Sequence, residues 1–496
     1  MRLQVLPLVV LATAAAGQAP HRPRLDSAAV SNIATLLMLE DTRTFDSLEL
    51  SRLLGSAHPE VRRRATLSVA HINDKRGVAL LRARPLDGDT SLAATTVFAI
   101  GQLRDTLTIP WLDSLLSNPR AAPTVRTEAA CALGKIKTSA AREVLARFLS
   151  GARAGPRTND VIGEALLSIG RSTARGDIAP IVKWVASPSE EIRWRAAWAL
   201  FRPRDPAALP SLLTMSKDRS ALVRSWAVRG LGKSQADSAS LGAVAETQLL
   251  ASTKDADRRV RTEAIRALGS YSDSAAIALL ADATKSTDSW ISVSAAEGLA
   301  RSRAAQTSPA LRDTTARTDR GSGRSGRGSR PAVRPAARPM DEYRAIVEKW
   351  VVPAYDGKPL PRARWETSRG TIELELYAGD APLAMDAFER LTDAGTIAGT
   401  EFTRVVPDFV DQQATIRDAA VQRDEVNRHR LTRGNLAWAS AGLDTGRPGY
   451  TLNHTAQPHN EGDFTSLGRV VLGQDVVDRI QLGDRVTAAQ TITPAP

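Results

Sequence analysis

Phe402-Thr403-Arg404-Val405-Val406-Pro407-Asp408-Phe409-Val410-Asp411-Gln412 decides how the C-terminal part of this 496-residue chain is read. Four further stretches stand around it in a fixed order. Upstream lies Ser368-Arg369-Gly370-Thr371-Ile372-Glu373-Leu374-Glu375-Leu376, then Ala381-Pro382 opening a helix with Phe388 and Leu391 on its buried face. Downstream come Arg433-Gly434-Asn435-Leu436-Ala437-Trp438-Ala439, and then Gly468-Arg469-Val470-Val471 with Gly473-Gln474-Asp475-Val476-Val477-Asp478-Arg479-Ile480. Several ordered motifs are a far more specific signal than one lone pattern.

Together these stretches resemble the cyclophilins, a family of peptidyl-prolyl isomerases, whose core signature is F-H-R-[VI]-[VI]-P-x-F-x-x-Q. The resemblance implies a closed antiparallel β-barrel with capping helices over residues 365–490, with Ser368–Leu376 as its first strand. It also implies a reaction. An X-Pro bond interconverts over a barrier of roughly 18–20 kcal/mol. A protein lowers it by binding the twisted amide better than either planar isomer. Twisting leaves a lone pair on the proline nitrogen, which a fixed, hydrogen-bonding cation stabilises. Arg404 takes that part by resemblance, and a guanidinium suits it because its planar fork stays charged and oriented. No nucleophile, metal or cofactor is required.

The substrate-binding residues carried over are Phe409 beneath the proline ring, Val410 for the usual methionine, Gln412 beside the arginine, and Ala439. Ser440 stands for a common asparagine, Thr451 for a pocket phenylalanine, and Phe464 for a histidine or tyrosine. His459 sits where other members have Trp, Phe or His. Further departures are Thr403 for histidine, Gly449 for a glutamine, Asn460 for a leucine, and Gln413-Ala414-Thr415 for G-G-D. They spare the arginine and thin the pocket wall. Two functions therefore stay open: an isomerase acting on proline-containing polypeptides, or a catalytically weak or inactive peptide-binding module.

The long middle is one unit repeated. Anchors at Val30, Val61, Leu92, Val125, Val161, Ile192, Val223, Val260 and Ile291 lie 31 to 37 residues apart. A small residue follows each by four and a large apolar one by eight, as in Ala65 and Val69 or Ala264 and Leu268. Offsets 0, 4 and 8 share one helical face. Gly101, Gly134, Gly170, Gly232 and Gly269 stand nine after an anchor, where a left-handed helix C-cap is expected. The V-R-x-x-A-x-x-A-L-G pattern, clearest at Val125–Gly134 and Val260–Gly269, resembles bacterial HEAT-like repeats. Such units bury apolar surface by stacking into a solenoid, here over 28–305, which implies a protein partner.

Arg62, Arg126, Arg193, Arg224 and Arg261 recur one after the anchor. They read as a ladder for an acidic partner, as structural pairs with acids such as Glu60, Glu191 and Asp257, or as plainly solvated side chains. Gly232-Lys233-Ser234 is no phosphate loop, because residue 227, where a leading glycine is needed, is alanine. It reads as a helix cap with a lysine compensating the helix dipole.

Met1-Arg2, the apolar run Leu3–Ala16 and the small residues after it fit a secretory signal peptide over 1–17. A periplasmic or secreted protein is expected, with no membrane span. Residues 306–340 carry eight arginines against two aspartates, half of the chain's net charge of +12. That composition predicts a basic disordered linker. Its Arg-Gly pairs have no interleaved aromatics, so nucleic acid is not expected. A short helix and connector follow over 341–364. The single Cys131 at an apolar helical position excludes disulfide frameworks. His429, His454 and His459 lack metal-ligand spacing.

Overall fold

The computed structural model describes residues 22–86, 88–172, 176–307, 337–416 and 420–492. The leader lies outside them, as does most of the 306–340 segment.

Each anchor up to Val260 sits in the first helix of a repeat, from Ser27–Asp41, Pro59–Ile72 and Thr90–Leu103 through to Arg258–Leu268, and Ile291 sits in the helix Ser289–Thr307. Asp26, Asp46, Asp89, Asp257 and Asp273 begin helices by accepting from backbone amides of the first turn, which have no partner inside the helix. The 0, 4, 8 face is the inner core of the stack: Val61, Ala65, Val69, Val260, Ala264 and Leu268 are wholly buried. The recurring arginines prove structural, though with other acids than those named. Arg193 pairs with Asp218 at 2.8 Å and Arg224 with Asp255 at 2.7 Å. Arg62, Arg126 and Arg261 donate to carbonyls of the loop or helix end just before their own helix.

The glycines nine after the anchors are not left-handed caps. Gly101 and Gly134 lie inside their helices, and the positive-φ residues are Arg104 (φ 50°) and Lys137 (φ 58°), three positions on. A Cβ on Gly101 would lie 2.8 Å from the Ala132 backbone, and one on Gly134 would lie 2.7 Å from that of Ser168. Glycine is used there because neighbouring repeats touch at the backbone. Gly269 ends its helix in right-handed conformation (φ −62°). Gly232 precedes the helix Lys233–Ser238, so Lys233 stands at its N-terminal, not its C-terminal, end and compensates no dipole.

After the repeats, the helix Met340–Ile346 lies between the two halves of the protein. The Tyr343 hydroxyl donates to Asp41 on the first solenoid helix at 2.9 Å, while Arg338 pairs with Asp386 beyond it at 3.0 Å. Eight antiparallel strands follow: β1 (Arg362–Thr367), β2 (Gly370–Leu376), β3 (Phe402–Val406), β4 (Val410–Gln413), β5 (Asn435–Trp438), β6 (Tyr450–Asn453), β7 (Ser466–Leu472) and β8 (Val486–Ile492). The stretch Ser368–Leu376 thus becomes the second strand. The order is β3-β4-β6-β5-β7-β2-β1-β8.

The expected closed barrel is a curled, open sheet. Its edge strands β3 and β8 meet only around a single bridge between Glu401 and Arg485 and a few backbone bonds such as Phe402 N to Asp484 O. β8 spends its length on β1, and the helix Pro382–Asp393 packs beside it. Trp365, Phe388, Trp438 and Tyr450 fill the concavity.

The sheet is not a tethered separate body. It sits against the stripe of the first helices given by offsets 3, 6 and 10 from each anchor, which fall together on a helix of 3.6 residues per turn. That stripe holds Glu128, Cys131, Lys135, Glu164, Arg171, Arg229 and Arg266. Arg171 donates to Pro458 O at 2.8 Å, and Gln102 to Gly462 O at 3.3 Å. Gly462 has φ +83°, and a Cβ there would strike Lys135 and Gln102 at under 3 Å. The N-terminal repeats, the connecting helix and the sheet share one apolar cluster, from Ile33 and Val61 through Tyr343 to Trp365.

The seam carries several titratable groups whose pKa values are raised. The His71 imidazole lies 2.6 Å from Glu40 and 3.0 Å from Val426 O, and the Glu40 carboxylate raises its pKa against the effect of burial. Burial pushes Glu425, which accepts from the amides of Leu383 and Ala384, up to about 7, and Asp424 up to about 6. Raised groups bind protons more tightly folded than unfolded, so their stabilisation is present at low pH and lost as pH rises through the folded values. The carboxylates held below their usual range, Glu40, Glu164 and Asp380, are ionised in both states above about pH 5.5. The melting temperature of the chain is therefore expected to fall steadily from about pH 5.5 to pH 8. Thermal melts across that range check it, and a flat or rising profile would contradict it.

Candidate active site

β3 and β4 form a hairpin in which Arg404 is the register partner of Gln412, and Gln412 in turn faces Thr451 on β6. The Arg404 guanidinium carbon lies 5.5 Å from the centre of the Phe409 ring, which follows the turn Pro407-Asp408. Both residues are half-buried. Thr451 donates to Ala437 O at 3.3 Å, and Ala439 N donates to Gly449 O at 2.8 Å. The single stretch Phe402–Gln412 thus brings a fixed cation, an aromatic face and a glutamine to one edge of the sheet.

Arg404, Phe409, Val410, Gln412, Ala439, Ser440, Thr451 and Phe464 all line one cavity of about 970 Å³. His459 does not line it. Its ring stacks on Phe409 at 5.9 Å and 18°, and so backs the aromatic floor. The other wall of the cavity belongs to the solenoid, with Phe201, Leu212, Lys233, Arg266 and Arg301 among its residues. Sequence reading missed that wall. A trace was there, in arginines six after an anchor at Arg229 and Arg266, where other repeats carry Leu67 or Phe98.

Chemically, the arrangement offers a permanent positive charge beside an apolar floor, in a cavity of about 970 Å³. A guanidinium there favours an amide whose nitrogen has gained a lone pair over a planar amide.

Residues 362–495 match the family model described as cyclophilin type peptidyl-prolyl cis-trans isomerase/CLD. HEAT-repeat models match segments between 83 and 326. A peptidyl-prolyl cis-trans isomerase of Synechococcus elongatus is 30% identical over 144 residues, covering 27% of this chain and 99% of the relative. The chain belongs to the cyclophilin-type peptidyl-prolyl cis-trans isomerases. Peptidyl-prolyl cis-trans isomerase B of Bacillus subtilis is 34% identical over 121 residues, covering 23% of this chain and 85% of its own length. A Helicobacter pylori isomerase is 31% identical over 158 residues, covering 29% and 91%. The shared part is the isomerase domain, and the repeat region is the addition. Among the described residues no helix is long and apolar enough to cross a membrane.

Proposed function

We propose that the chain is an exported prolyl isomerase for extended, proline-containing polypeptides, in which Arg404 stabilises the twisted amide. Phe409, backed by His459, receives the proline ring, with Val410, Gln412, Ala439, Ser440, Thr451 and Phe464 around it. The observation that carries the reading is the Arg404–Gln412 register pair with the guanidinium over Phe409, inside a cavity. The repeats hold the client protein, which raises the local concentration of its prolines at the site. Export rests on the apolar leader alone, and N-terminal sequencing of the processed protein would show a start near residue 17 to 20.

A second reading, peptide binding without useful turnover, is favoured by Gly449 and Thr451 standing where a glutamine and a pocket phenylalanine are expected. Gly449 cannot simply be refilled: a Cβ there would come 3.2 Å from Ala414 O and the Thr415 Cα, both backbone. Thr451 is half-exposed to the cavity and can be enlarged. In a protease-coupled assay on a proline tetrapeptide, the full chain is expected to accelerate isomerisation. Thr451→Phe is expected to raise kcat/KM about fivefold, through roughly 1 kcal/mol of added aromatic contact. Binding of the peptide with no acceleration by either form would establish the second reading instead.

A further inference from the structure

The turn between β3 and β4 is held from outside the isomerase domain. Arg229, the C-cap of the solenoid helix Ala221–Val228, donates to Asp408 O at 2.9 Å and to its carboxylate at 2.7 Å. Arg266, on the helix Arg258–Leu268, donates to Pro407 O at 2.6 Å. Glu263 pairs with both guanidiniums, and Trp226 lies 4.1 Å beneath that of Arg229. Asp408 is buried and left-handed at φ 52°, a conformation that aspartate tolerates better than most residues. Phe409 is the next residue. The same two arginines line the cavity with Phe201, Lys233 and Arg301, opposite Arg404 and Thr451.

We infer that the solenoid is the second half of the prolyl-peptide site: it walls the cleft against which residues flanking the proline lie, and Arg229 and Arg266 position the turn that aims Phe409 at Arg404. This rests on the isomerase reading above and extends it to substrate choice. An occupant bounded on both sides must be an extended chain. The side chains next to its proline meet Lys233, which is partly exposed and lies 3.3 Å from Asp237. Arg229 and Arg266 already have Glu263 and Asp408 as partners, so Lys233 is the more responsive charge. Arg229 acts on the turn rather than on the peptide, and small misplacements of such groups are costly in rate.

The test uses the full chain. Lys233→Glu is expected to lower the ratio of kcat/KM for a Glu-flanked over a Lys-flanked proline peptide about fivefold. Arg229→Lys keeps the charge near Glu263, but a lysine ends one bond short of the Nη2 that donates to both the carbonyl and the carboxylate of Asp408. It is expected to lower kcat/KM roughly tenfold. Arg224→Lys is the control: that arginine sits on the same helix and pairs with Asp255 inside the solenoid, so it shares the stability cost without touching the turn. An unchanged peptide ratio in Lys233→Glu overturns the inference, and so does Arg229→Lys matching Arg224→Lys in kcat/KM. Were the wild-type chain to lack turnover, the same comparisons are read as affinities of the labelled peptides. The failure of the enzymatic reading then stays separate from that of the composite site.

Discussion

Arg404→Ala in the full-length chain is expected to lower kcat/KM for prolyl isomerisation by about a hundredfold or more, the usual cost of removing a preorganised electrostatic donor. The melting temperature should hardly move. Arg404 is half-buried on the five-residue strand β3, whose ladder to β4 is backbone, and its guanidinium carbon stands 5.5 Å over the Phe409 ring. Such a contact contributes about 0.5–1 kcal/mol. Arg404→Lys keeps the charge but not the planar fork, and should recover only part of the loss. A variant Arg404→Ala that retained full turnover would remove the catalytic assignment, whatever happened to peptide affinity.

The largest effect on stability is expected at Arg430, in the loop between β4 and β5. Its guanidinium approaches Glu164 at 3.4 Å, Glu461 at 3.6 Å and Glu128 at 3.8 Å, and the Cys131 sulfur at 3.1 Å. All three carboxylates are about nine-tenths buried or more. Arg171 also serves Glu164 and Arg428 also serves Glu128, but Glu461 depends on Arg430 and the Leu431 amide. Removing one partner of a buried charge group leaves the others desolvated and uncompensated, at a cost of about 3–5 kcal/mol. Arg430→Ala should lose about 3 kcal/mol in denaturant unfolding. Arg430→Met, which refills the volume, should recover little of it. A loss under about 0.5 kcal/mol would show these groups to be well hydrated, as in surface pairs.

How far the fold could be read in advance differed by element. The β3–β4 stretch was legible because its chemistry sits in consecutive residues, and the repeats because their core offsets recur. Arg404, Phe409 and Gln412 could be assigned together since a hairpin brings near neighbours in sequence face to face. The spare glycines were misread because a glycine has two uses, positive φ and close approach, and spacing alone does not tell them apart. Gly101 against Ala132 is the second kind. The open edge of the sheet depends on how far β3 reaches toward β8, which no local pattern records.

The docking of sheet on solenoid was hidden for a different reason. Glu128, Lys135, Glu164 and Arg171 are charged residues on a helix face, and such a face ordinarily means solvent. Here it meets a second charged face, from Arg428 to Glu461, more than 250 residues away along the chain. Lys135 shows the result most plainly: its ammonium is buried 3.9 Å from the centre of the Phe98 ring, and burial lowers its pKa. Only the meeting of the two faces explains either one.

The apolar cluster shared by the first repeats and the sheet also fixes an order of events. Solenoid helices contact mainly their neighbours, so the repeats can form as the chain emerges N-terminus first. The sheet's partners Ile33 and Val61 then emerge some 300 residues before Trp365 and Leu436. Contacts of such separation form slowly, since the intervening chain must close before they repay its entropy. Throughout that interval the groove holding Glu128, Glu164 and Lys135 is bathed in water, which suits ionised groups. The same charges that are costly in the finished protein keep the waiting groove from sticking to other chains.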